Sequence, residues 1–419
     1  MIISQIETIR VAQFPDLIFV QVHTDTGLTG LGETWYAAAT VESAIHDHFG
    51  PLLVGRDPFE IERHWQTMFR LSDHAGYGGA ELRAISAIDV ALWDIKGQSL
   101  NMPIFEIIGG GTRNRIKVYN TLGVYGEIDE AHRVWSDPVG VAKSLLDQGI
   151  TGMKMSPTDF IARESDGQLL FQDDLDWALR PIREIREKLG MEIDIANDAH
   201  GKWNLPNAMR IVREMESMRL MWHEELISPL NEEAHRRLQA VTSTPIAAAE
   251  RLMTRYQHRR FIESSSARIS MPDLTWTGGI SEVKKIAVLA SAHQKPIAPH
   301  DCVGPVNMMA CAHIAMATPN VMIMEYNQAM HLGWYRDFIE PDFVIDGGFL
   351  MAPTEPGLGA RLRPSVKDRA DATVRVSSRK SESWLTSVER YTYPPKEFQS
   401  EFVHSTERRR TGFNASYYD

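Results

Sequence analysis

Seven polar side chains that could bind a cation or move a proton stand at the ends of short apolar runs in this sequence of 419 residues. In chain order they are Lys154, Asp198, Glu224, Glu250, Asp273, His300 and Glu325. The interval from Asp198 to Glu224 is 26 residues, and the interval from Glu224 to Glu250 is again 26. Such an interval is close to one strand-plus-helix repeat of a (β/α)8 barrel, which carries its chemistry at the carboxyl ends of the strands. The spacing therefore predicts three carboxylates side by side at one rim of a barrel.

The three carboxylates Asp198, Glu224 and Glu250 predict a metal site. Carboxylates that lie this close repel one another and raise each other's pKa, and a divalent cation removes the conflict. A ligand set made only of oxygen atoms favours Mg²⁺, with Mn²⁺ as the alternative. The other interpretation is three surface acids that cap helix amino termini. Because all three follow apolar runs in matched register, we predict that they bind one Mg²⁺ per subunit.

Two histidines lie where they could move protons at this rim. His300 and Asp273 end neighbouring predicted strands, and a carboxylate beside a histidine fixes its tautomer and prepares it as a general base. Taken alone, His300 is equally consistent with a structural histidine. His200 lies two residues beyond Asp198, so strand alternation turns it toward the same side. It could donate a proton to a leaving group, and its alternative interpretation is a cap or loop histidine.

Lys154 and Glu325 complete the predicted rim as substrate-binding residues. Lys154 would offer a positive charge to a substrate carboxylate. Glu325 could hydrogen-bond a developing enolate if its carboxyl stays protonated, and the alternative is an ion-pair partner. A cation, a base and an acid on one rim suggest abstraction of a proton α to a carboxylate. Such protons are very weakly acidic, so the intermediate needs strong electrostatic stabilisation.

The elements that must position these residues are short apolar runs, each followed by a polar loop and an amphipathic helix, from about residue 116 onward. The eight runs are "IKVYNT", "GMKM", "IDIAND", "LMWHEE", "IAAAE", "ARISMPD", "KPIAPH" and "VMIMEY". Strands that alternate with helices indicate parallel β/α units, and eight of them indicate a closed barrel of the α/β class. The polar residues 156–174 after the second run are predicted to form an insertion over the barrel mouth.

The flanking regions predict two further parts of the fold. Residues 1 to about 60 predict strand, strand and helix, with a hairpin at "DTG", and residues 80–100 predict a helix that faces the core. Residues after 345 are rich in Gly and Pro and are expected to return to the amino-terminal domain. The predicted organisation is therefore a capping domain at 1–115, a barrel at 116–344 and a carboxyl-terminal segment at 345–419, with no assigned role for its polar tail.

Composition excludes several classes of function. The formal net charge is −11, which disfavours nucleic acid as a partner,. The run Arg408–Arg410 is interpreted as a solvated face or subunit contact rather than a nucleic-acid site. Cys302 and Cys311 cannot form a disulfide framework, so a reducing cytoplasm is expected,. The sequence contains neither a basic, apolar leader nor an apolar stretch near the ~18 residues of a membrane helix, so no membrane partner is expected.

Several longer motifs resemble the enolase superfamily in its mandelate racemase subgroup, over roughly residues 1 to 365. They are "GLTGLGE", "AISAIDVALWDIKGQSLNMPIFEIIGG", "NDAHGKW", "HEE", "AAAERLMTR", "PDLTWTGGISEVKKIA" and "PHDCVGPV". The resemblance implies an α+β capping domain on a modified (β/α)7β barrel, Mg²⁺ on the three carboxylates, and an Asp273–His300 dyad as the base. It also suggests substrate contacts from the "QFPD" and "SDHAGYGG" loops, and a homo-oligomer.

Departures from the family pattern narrow the implied reaction. Relatives that racemise through a lysine carry K-x-K at the second strand, whereas here Ser156 stands at the place of the second lysine. Serine is a poor base without an activating partner. The "DAHG" segment instead resembles acid-sugar dehydratases similar to galactonate dehydratase, in which this histidine assists departure of the β-hydroxyl. Ala249 precedes Glu250 where many relatives carry Gly, and the Glu250 ligand is expected to remain intact.

The sequence thus predicts a Mg²⁺-dependent dehydratase of an acid sugar, which is a small molecule. His300 would remove the C2 proton, His200 would protonate the leaving 3-hydroxyl, and the enol would tautomerise to a 2-keto-3-deoxy acid. One alternative within the family is an epimerase or cycloisomerase that uses His200 as its second base. Another alternative is a barrel that has kept the metal but serves as a sensing or scaffold protein.

Overall fold

The structure is a computed structural model that describes residues 1–73, 76 and 78–378. The tail with Arg408–Arg410, and three residues of the "SDHAGYGG" loop, lie outside the described residues. The strands, in chain order, are β1 (Ile3–Val11), β2 (Phe14–Thr24), β3 (Thr29–Trp35), β4 (Arg115–Thr121), β5 (Val124–Tyr125), β6 (Ile128–Asp129), β7 (Gly152–Met155), β8 (Asp194–Asp198), β9 (Trp222–Glu224), β10 (Ile246–Ala248), β11 (Ile269–Ser270), β12 (Met324–Tyr326), β13 (Ile339–Glu340), β14 (Ile345–Asp346), β15 (Phe349–Met351), β16 (Arg361–Leu362) and β17 (Ala372–Ser377).

From β7 onward, helices alternate with the barrel strands, as the sequence pattern predicts. The α-helices, in chain order, are α1 (Ala38–Ser43), α2 (Gly50–Leu53), α3 (Ile61–Ser72), α4 (Ala80–Leu100), α5 (Ile104–Ile107), α6 (Glu130–Arg133), α7 (Pro138–Leu146), α8 (Asp159–Ala162), α9 (Gln172–Leu189), α10 (Leu205–Met215), α11 (Glu232–Gln239), α12 (Thr254–Glu263), α13 (Leu274–Thr277), α14 (Gly279–Ala292), α15 (Pro305–Ala317), α16 (Gln328–Met330) and α17 (Arg336–Phe338). The predicted helix over residues 80–100 is confirmed by α4.

The capping domain is built on an antiparallel sheet with the strand order β17-β1-β2-β3. The predicted hairpin is confirmed: β2 pairs with β3, and Gly27 in the turn has a φ of +87°, which favours glycine,. The sequence prediction missed β1. Helix α4 packs closely on this sheet, since a Cβ atom added at Gly32 would lie 1.9 Å from the carbonyl oxygen of Ala87.

The predicted TIM-type barrel is confirmed. Parallel pairing runs from β4 through β7, β8, β9 and β10 to β11, and β12 closes the circle by pairing with β4. The helices that follow these strands form the outer layer, and the last strand, β12, ends the series. This is a (β/α)7β arrangement, in which the carboxyl ends of all strands open on the same rim.

The seventh predicted strand, "KPIAPH", is the exception to regular pairing. It joins the barrel through isolated parallel bridges, of Ile297 with Ser270 and Val321 and of His300 with Asp273. Pro296 and Pro299 lack the N–H group that a continuous ladder needs, which explains why no regular strand forms,. The bridge between Asp273 and His300 nevertheless brings these two residues side by side.

The barrel interior is filled by a small cluster of buried side chains that forms the floor beneath the rim. Tyr119 and Trp222 meet edge to face, with ring centroids 5.0 Å apart, and small residues such as Ala196 and Ala247 make room for them. The indole Nε1 of Trp222 donates to Glu224 Oε2 at 2.9 Å. The packed floor therefore holds one of the rim carboxylates in place.

The carboxyl-terminal segment contacts both domains. Its strand β15 pairs antiparallel with the start of β4 in the barrel, and β17 adds to the sheet of the capping domain beside β1. Between these strands, the backbone N–H of Leu358 donates to Asp94 Oδ1 at 2.8 Å, while Asp94 Oδ2 accepts from Leu31 N of β3. Asp94 of α4 thus ties the segment to the cap.

Within the described part of the chain, no helix is long and apolar enough to span a membrane.

Candidate active site

Three carboxylates stand at the carboxyl ends of consecutive barrel strands. Asp198 and Glu224 are the last residues of β8 and β9 and are direct partners in the strand register. Glu250 follows β10 by two residues, and all three side chains are almost fully buried. We call Asp198, Glu224 and Glu250 the carboxylate cluster. The structure thus places the three residues that the sequence predicts as metal ligands at neighbouring strand ends.

Ala249, before Glu250, has a φ of +95°, in the left-handed region that favours glycine,. This accounts for the glycine that the family pattern carries at this position. The backbone N–H of Ala249 donates to Glu225 Oε1 at 3.0 Å, and Arg251 forms an ion pair with the same carboxylate. These contacts hold the turn, so the side chain of Glu250 still reaches the rim.

Lys154 places its amine among the buried acids rather than in open solvent. Its Nζ lies 2.5 Å from Glu224 Oε1, 2.8 Å from Glu325 Oε1 and 3.4 Å from Asp198 Oδ2. Burial alone would lower the pKa of Lys154, but the carboxylates of Glu224 and Glu325 outweigh burial and raise the pKa well above its ordinary value. The amine therefore stays charged and orients two members of the carboxylate cluster.

The donor set of the carboxylate cluster fits a hard divalent cation. All its donors are carboxylate oxygens, Asp198 and Glu224 both reach the same ammonium, and burial raises the pKa of Glu224, as expected for an acid that lacks a full counter-charge,. Among the described residues, a second set of possible metal ligands consists of His300, Cys302 and Glu325. One ligand atom from each of these three residues lies within 4.8 Å of the other two. That set includes sulfur and nitrogen, which suit softer metals than Mg²⁺.

His300 and Asp273 form a buried hydrogen-bonded dyad. His300 Nδ1–H donates to Asp273 Oδ2 at 2.7 Å, and Asp273 Oδ1 accepts from both the backbone N–H and the hydroxyl of Thr275 at 2.8 Å. With Nδ1 occupied, His300 presents Nε2 to the cluster, 3.6 Å from Glu250 Oε2. This geometry suits a base whose tautomer and orientation are fixed.

The charge environment of His300 depends on the neighbouring acids. Burial alone would lower the pKa of His300, but Glu250, Glu325 and Asp273 outweigh it and raise the pKa well above the ordinary value. A cation on the carboxylate cluster would offset part of this negative charge and lower the pKa of His300 toward the range in which it accepts protons.

His200 reaches the cluster from the loop after β8. Its Nε2 lies 3.4 Å from Asp198 Oδ2, and its Nδ1–H donates to Asp159 Oδ2 at 2.8 Å. Burial opposes protonation, yet Asp198 and Asp159 raise the pKa of His200 to about 9. The charged imidazolium can act as a proton donor. Asp159, which the sequence analysis did not single out, belongs to the polar insertion and also pairs with Lys202.

Glu325 lies at the centre of a hydrogen-bond network on β12. Its Oε1 accepts from Thr121 Oγ1 and from Lys154, and Oε2 accepts from the backbone N–H of Asp301 at 2.9 Å. Burial would raise the pKa of Glu325, but Lys154 and His300 lower it below the ordinary value. Of the two interpretations of Glu325, these contacts favour the ion-pair partner, with Lys154 as its counter-charge. Its contact with substrate stays a prediction.

The capping domain contributes two buried contacts to the dyad region that the sequence analysis missed. The hydroxyl of Thr34 donates to the carbonyl oxygen of Thr275 at 2.9 Å, next to the residue that holds Asp273. Glu33 Oε1 accepts from the backbone N–H of Asn307 at 2.8 Å, in the first turn of α15. The "GLGET" stretch of β3 therefore holds two backbone segments near the base, the one after Asp273 and the first turn of α15.

We expect Glu33→Gln to weaken the pH dependence of stability. Burial raises the pKa of Glu33 from 4.5 to about 8, so the folded state holds a proton that the unfolded state releases above pH 4.5. Stability from this group is therefore lost as the pH rises from about 5 to 8. In urea unfolding, the variant should lose about 3 kcal/mol less than the parent chain between pH 5.5 and 8. Equal losses in both proteins would contradict a proton on Glu33, and Glu233→Gln on the surface serves as the control.

Two family models match most of the chain. Residues 6–109 match the mandelate racemase / muconate lactonizing enzyme N-terminal domain, and residues 139–366 match the enolase C-terminal domain-like family. The two matches fall on the capping domain and on the barrel, respectively.

Individual relatives agree with this assignment. A D-galactonate dehydratase of Variovorax paradoxus (strain S110) is 35% identical over 86% of this chain and 92% of the relative. A second D-galactonate dehydratase, of Ralstonia pickettii (strain 12J), is 32% identical over 93% of this chain and 97% of the relative. The crystal structure of a mandelate racemase subgroup enolase from Agrobacterium tumefaciens superposes with a TM-score of 0.84 at 37% identity, over 90% of this chain and 99% of that one. The chain therefore belongs to the mandelate racemase subgroup of the enolase superfamily.

Proposed function

We propose that this chain is a Mg²⁺-dependent dehydratase that converts an acid sugar into a 2-keto-3-deoxy acid. The observation that carries the proposal is the pair of histidines at the carboxylate cluster, with His300 Nε2 3.6 Å from Glu250 and His200 Nε2 3.4 Å from Asp198. One histidine is prepared as a base by Asp273, and the other is kept charged by Asp159. The names of the two D-galactonate dehydratase relatives support the same reaction.

The reaction is an elimination followed by a tautomerisation. His300 takes the C2 proton, and the electron pair of the C2–H bond forms the double bond to C3. The C3–O bond breaks, and the hydroxyl leaves as water with the proton of His200. The enol product then moves its hydroxyl proton to C3, which gives the 2-keto-3-deoxy acid. Loss of one water balances the overall equation.

The carboxylate cluster would hold the Mg²⁺. The bound cation supplies Lewis-acid stabilisation of the substrate carboxylate as C2 becomes negative. The chain's own residues set the rest of the environment: Lys154 orients two of the acids, and the packed floor of Tyr119 and Trp222 excludes water from below. These contacts keep the acids in position without substrate.

A screen of aldonic and aldaric acids with Mg²⁺ tests the proposal. We expect at least one acid to yield a product that reacts as a 2-keto-3-deoxy acid, and we expect chelation of the metal to abolish this product. If deuterium from the solvent appears at C2 of unreacted or inverted acid without keto product, the epimerase alternative replaces the proposal. If an acid binds in Mg²⁺ and raises the melting temperature without any turnover, the sensing or scaffold alternative replaces it.

We expect His200→Gln to affect the departure of a poor leaving group selectively. Loss of a general acid costs about 10²- to 10⁴-fold in rate, but fluoride leaves without protonation far more readily than hydroxide. The variant should therefore lose at least about 10²-fold in kcat on the hydroxy acid and about tenfold or less on its 3-deoxy-3-fluoro analogue. Product formation measured with both acids decides this. Equal losses would show that His200 does not protonate the leaving group.

The family resemblance also leads us to propose a homo-oligomer. Light scattering coupled to size-exclusion chromatography measures the molar mass directly, and a mass of 47.4 kDa, that of one chain, would contradict this proposal.

A further inference from the structure

The capping domain carries one cation near the base that forms no ion pair with any described residue. Arg83, in the first turns of α4, uses one guanidinium nitrogen to donate to the carbonyl oxygen of Trp35 at 2.9 Å. Its guanidinium carbon lies 4.4 Å from the ring centroid of Trp276 and 5.6 Å from that of Tyr36. A guanidinium has five N–H donors, so most of the hydrogen-bonding capacity of Arg83 is not used by these contacts.

The position of Arg83 relates it directly to the proposed chemistry. The indole of Trp276 that contacts the guanidinium also packs against His300, with ring centroids 5.0 Å apart. One aromatic ring thus separates the cation from the base. Tyr36, the second aromatic residue near the guanidinium, is half exposed. Arg83, Tyr36 and Trp276 form what we call the cap site.

The nearby acids do not neutralise Arg83. Asp273 attracts it over a distance, but both oxygens of Asp273 are committed to His300 and Thr275. Asp16, from the "QFPD" loop, also acts at a distance and forms no ion pair with Arg83. A half-buried cation without a carboxylate partner is costly, and such a cation is suited to an anionic group of a ligand.

We propose that Arg83 binds the distal carboxylate of the substrate, so that the substrate class is a sugar diacid rather than a sugar monoacid. This inference rests on the proposed function, because the proximal carboxylate is taken to lie at the carboxylate cluster. The planar guanidinium can donate two parallel hydrogen bonds to the far carboxylate, and the Tyr36 hydroxyl can donate a third. A bound monoacid would leave the Arg83 guanidinium without a carboxylate partner. The site should therefore favour a diacid over a monoacid.

Kinetics on matched acid pairs test the proposal. Galactonate and galactarate, and gluconate and glucarate, differ only in whether C6 is a hydroxymethyl group or a carboxylate. We expect the parent chain to prefer one diacid over its monoacid by about 30-fold or more in kcat/KM, mostly through KM. Arg83→Gln should remove this preference, and Arg83→Lys, which keeps the charge but not the planar fork, should retain part of it.

Three results would overturn the inference. The first is a monoacid that is used as well as its diacid by the parent chain. The second is a diacid preference that survives in Arg83→Gln. The third is an equal loss on both acids in Arg83→Gln and Arg83→Lys, which would mean that Arg83 only positions Trp276 and His300. Arg236→Gln, on the exposed face of α11, is the matched control. It should leave kcat/KM unchanged for both the diacid and the monoacid.

A binding measurement separates this inference from the proposed function. His300→Asn and the double variant His300→Asn/Arg83→Gln are titrated calorimetrically with all four acids in Mg²⁺. We expect a diacid to bind His300→Asn at least about 30-fold more tightly than its monoacid, and the double variant to show no such difference. Equal affinities in His300→Asn would overturn the inference even if turnover is found. A diacid preference that depends on Arg83 would support it even if the screen finds no keto product and the proposed function fails.

Discussion

His300→Asn should lower kcat by about 10⁴-fold while leaving the fold intact. The asparagine amide can still donate to Asp273 Oδ2, which accepts from His300 Nδ1 at 2.7 Å, so the buried carboxylate keeps a partner. It offers no group that can accept a proton at the place of Nε2. The rate of keto-acid formation and the exchange of the C2 proton with deuterated solvent should therefore fall together, and the thermal unfolding midpoint should change little.

The control for this variant is His132→Asn, at an exposed histidine on α6 whose imidazole pairs with Asp129. It should retain parent-like activity. Activity within a few-fold of the parent in His300→Asn would remove His300 from the mechanism. Loss of product with continued exchange at C2 would instead mean that another group takes the proton, and that His300 acts later in the reaction.

Glu250→Gln should weaken Mg²⁺ binding by about 10²-fold or more and lower activity at least as much. The substitution keeps the shape of the side chain but replaces a negatively charged oxygen donor of the carboxylate cluster with a neutral amide. Glu250 is held by the turn at Ala249, and its neighbours Arg251 and His300 lie 3.7 and 3.6 Å away, so no close contact is lost. Titration calorimetry with Mg²⁺ measures the affinity directly.

Glu233→Gln is the matched control for this change, because Glu233 pairs with Arg236 on the surface of α11. It should bind Mg²⁺ like the parent chain. Unchanged Mg²⁺ affinity in Glu250→Gln would exclude Glu250 as a ligand. Restored activity at high Mg²⁺ concentration would support the ligand role, since a weakened site can be filled by mass action.

The barrel and its rim could be predicted from the sequence because their signals are local. A polar residue lies at or beside the end of each apolar run, and the repeated interval of 26 residues places Asp198, Glu224 and Glu250 at the ends of consecutive strands. Strand β1 was missed although β2, which follows it at once, pairs with it, because the turn at Ala12 and Gln13 has neither Gly nor Asn to signal a hairpin,. The seventh strand could be located, and its two prolines, Pro296 and Pro299, account for the isolated bridges that replace a regular ladder,.

Contacts between distant segments account for the site features that the sequence did not reveal. Asp159 meets His200 across 41 residues, and Thr34 meets Thr275 across 241. Neither contact follows from a spacing rule, because each depends on how the insertion or the capping domain packs on the barrel. The two interpretations of Glu325 stayed open for the same reason: its ion pair is with Lys154, which lies on the second strand of the barrel.

The pairing of β17 with β1 has a consequence for biosynthesis. Val11 lies opposite Ala372 and Ile6 opposite Ser377, so β1 is synthesised long before β17, the strand that covers its outer edge. During translation the nascent chain exposes an unprotected strand edge for most of its synthesis, which is the kind of edge that chaperones shield from aggregation. The sheet of the capping domain is thus completed only after the barrel has been synthesised.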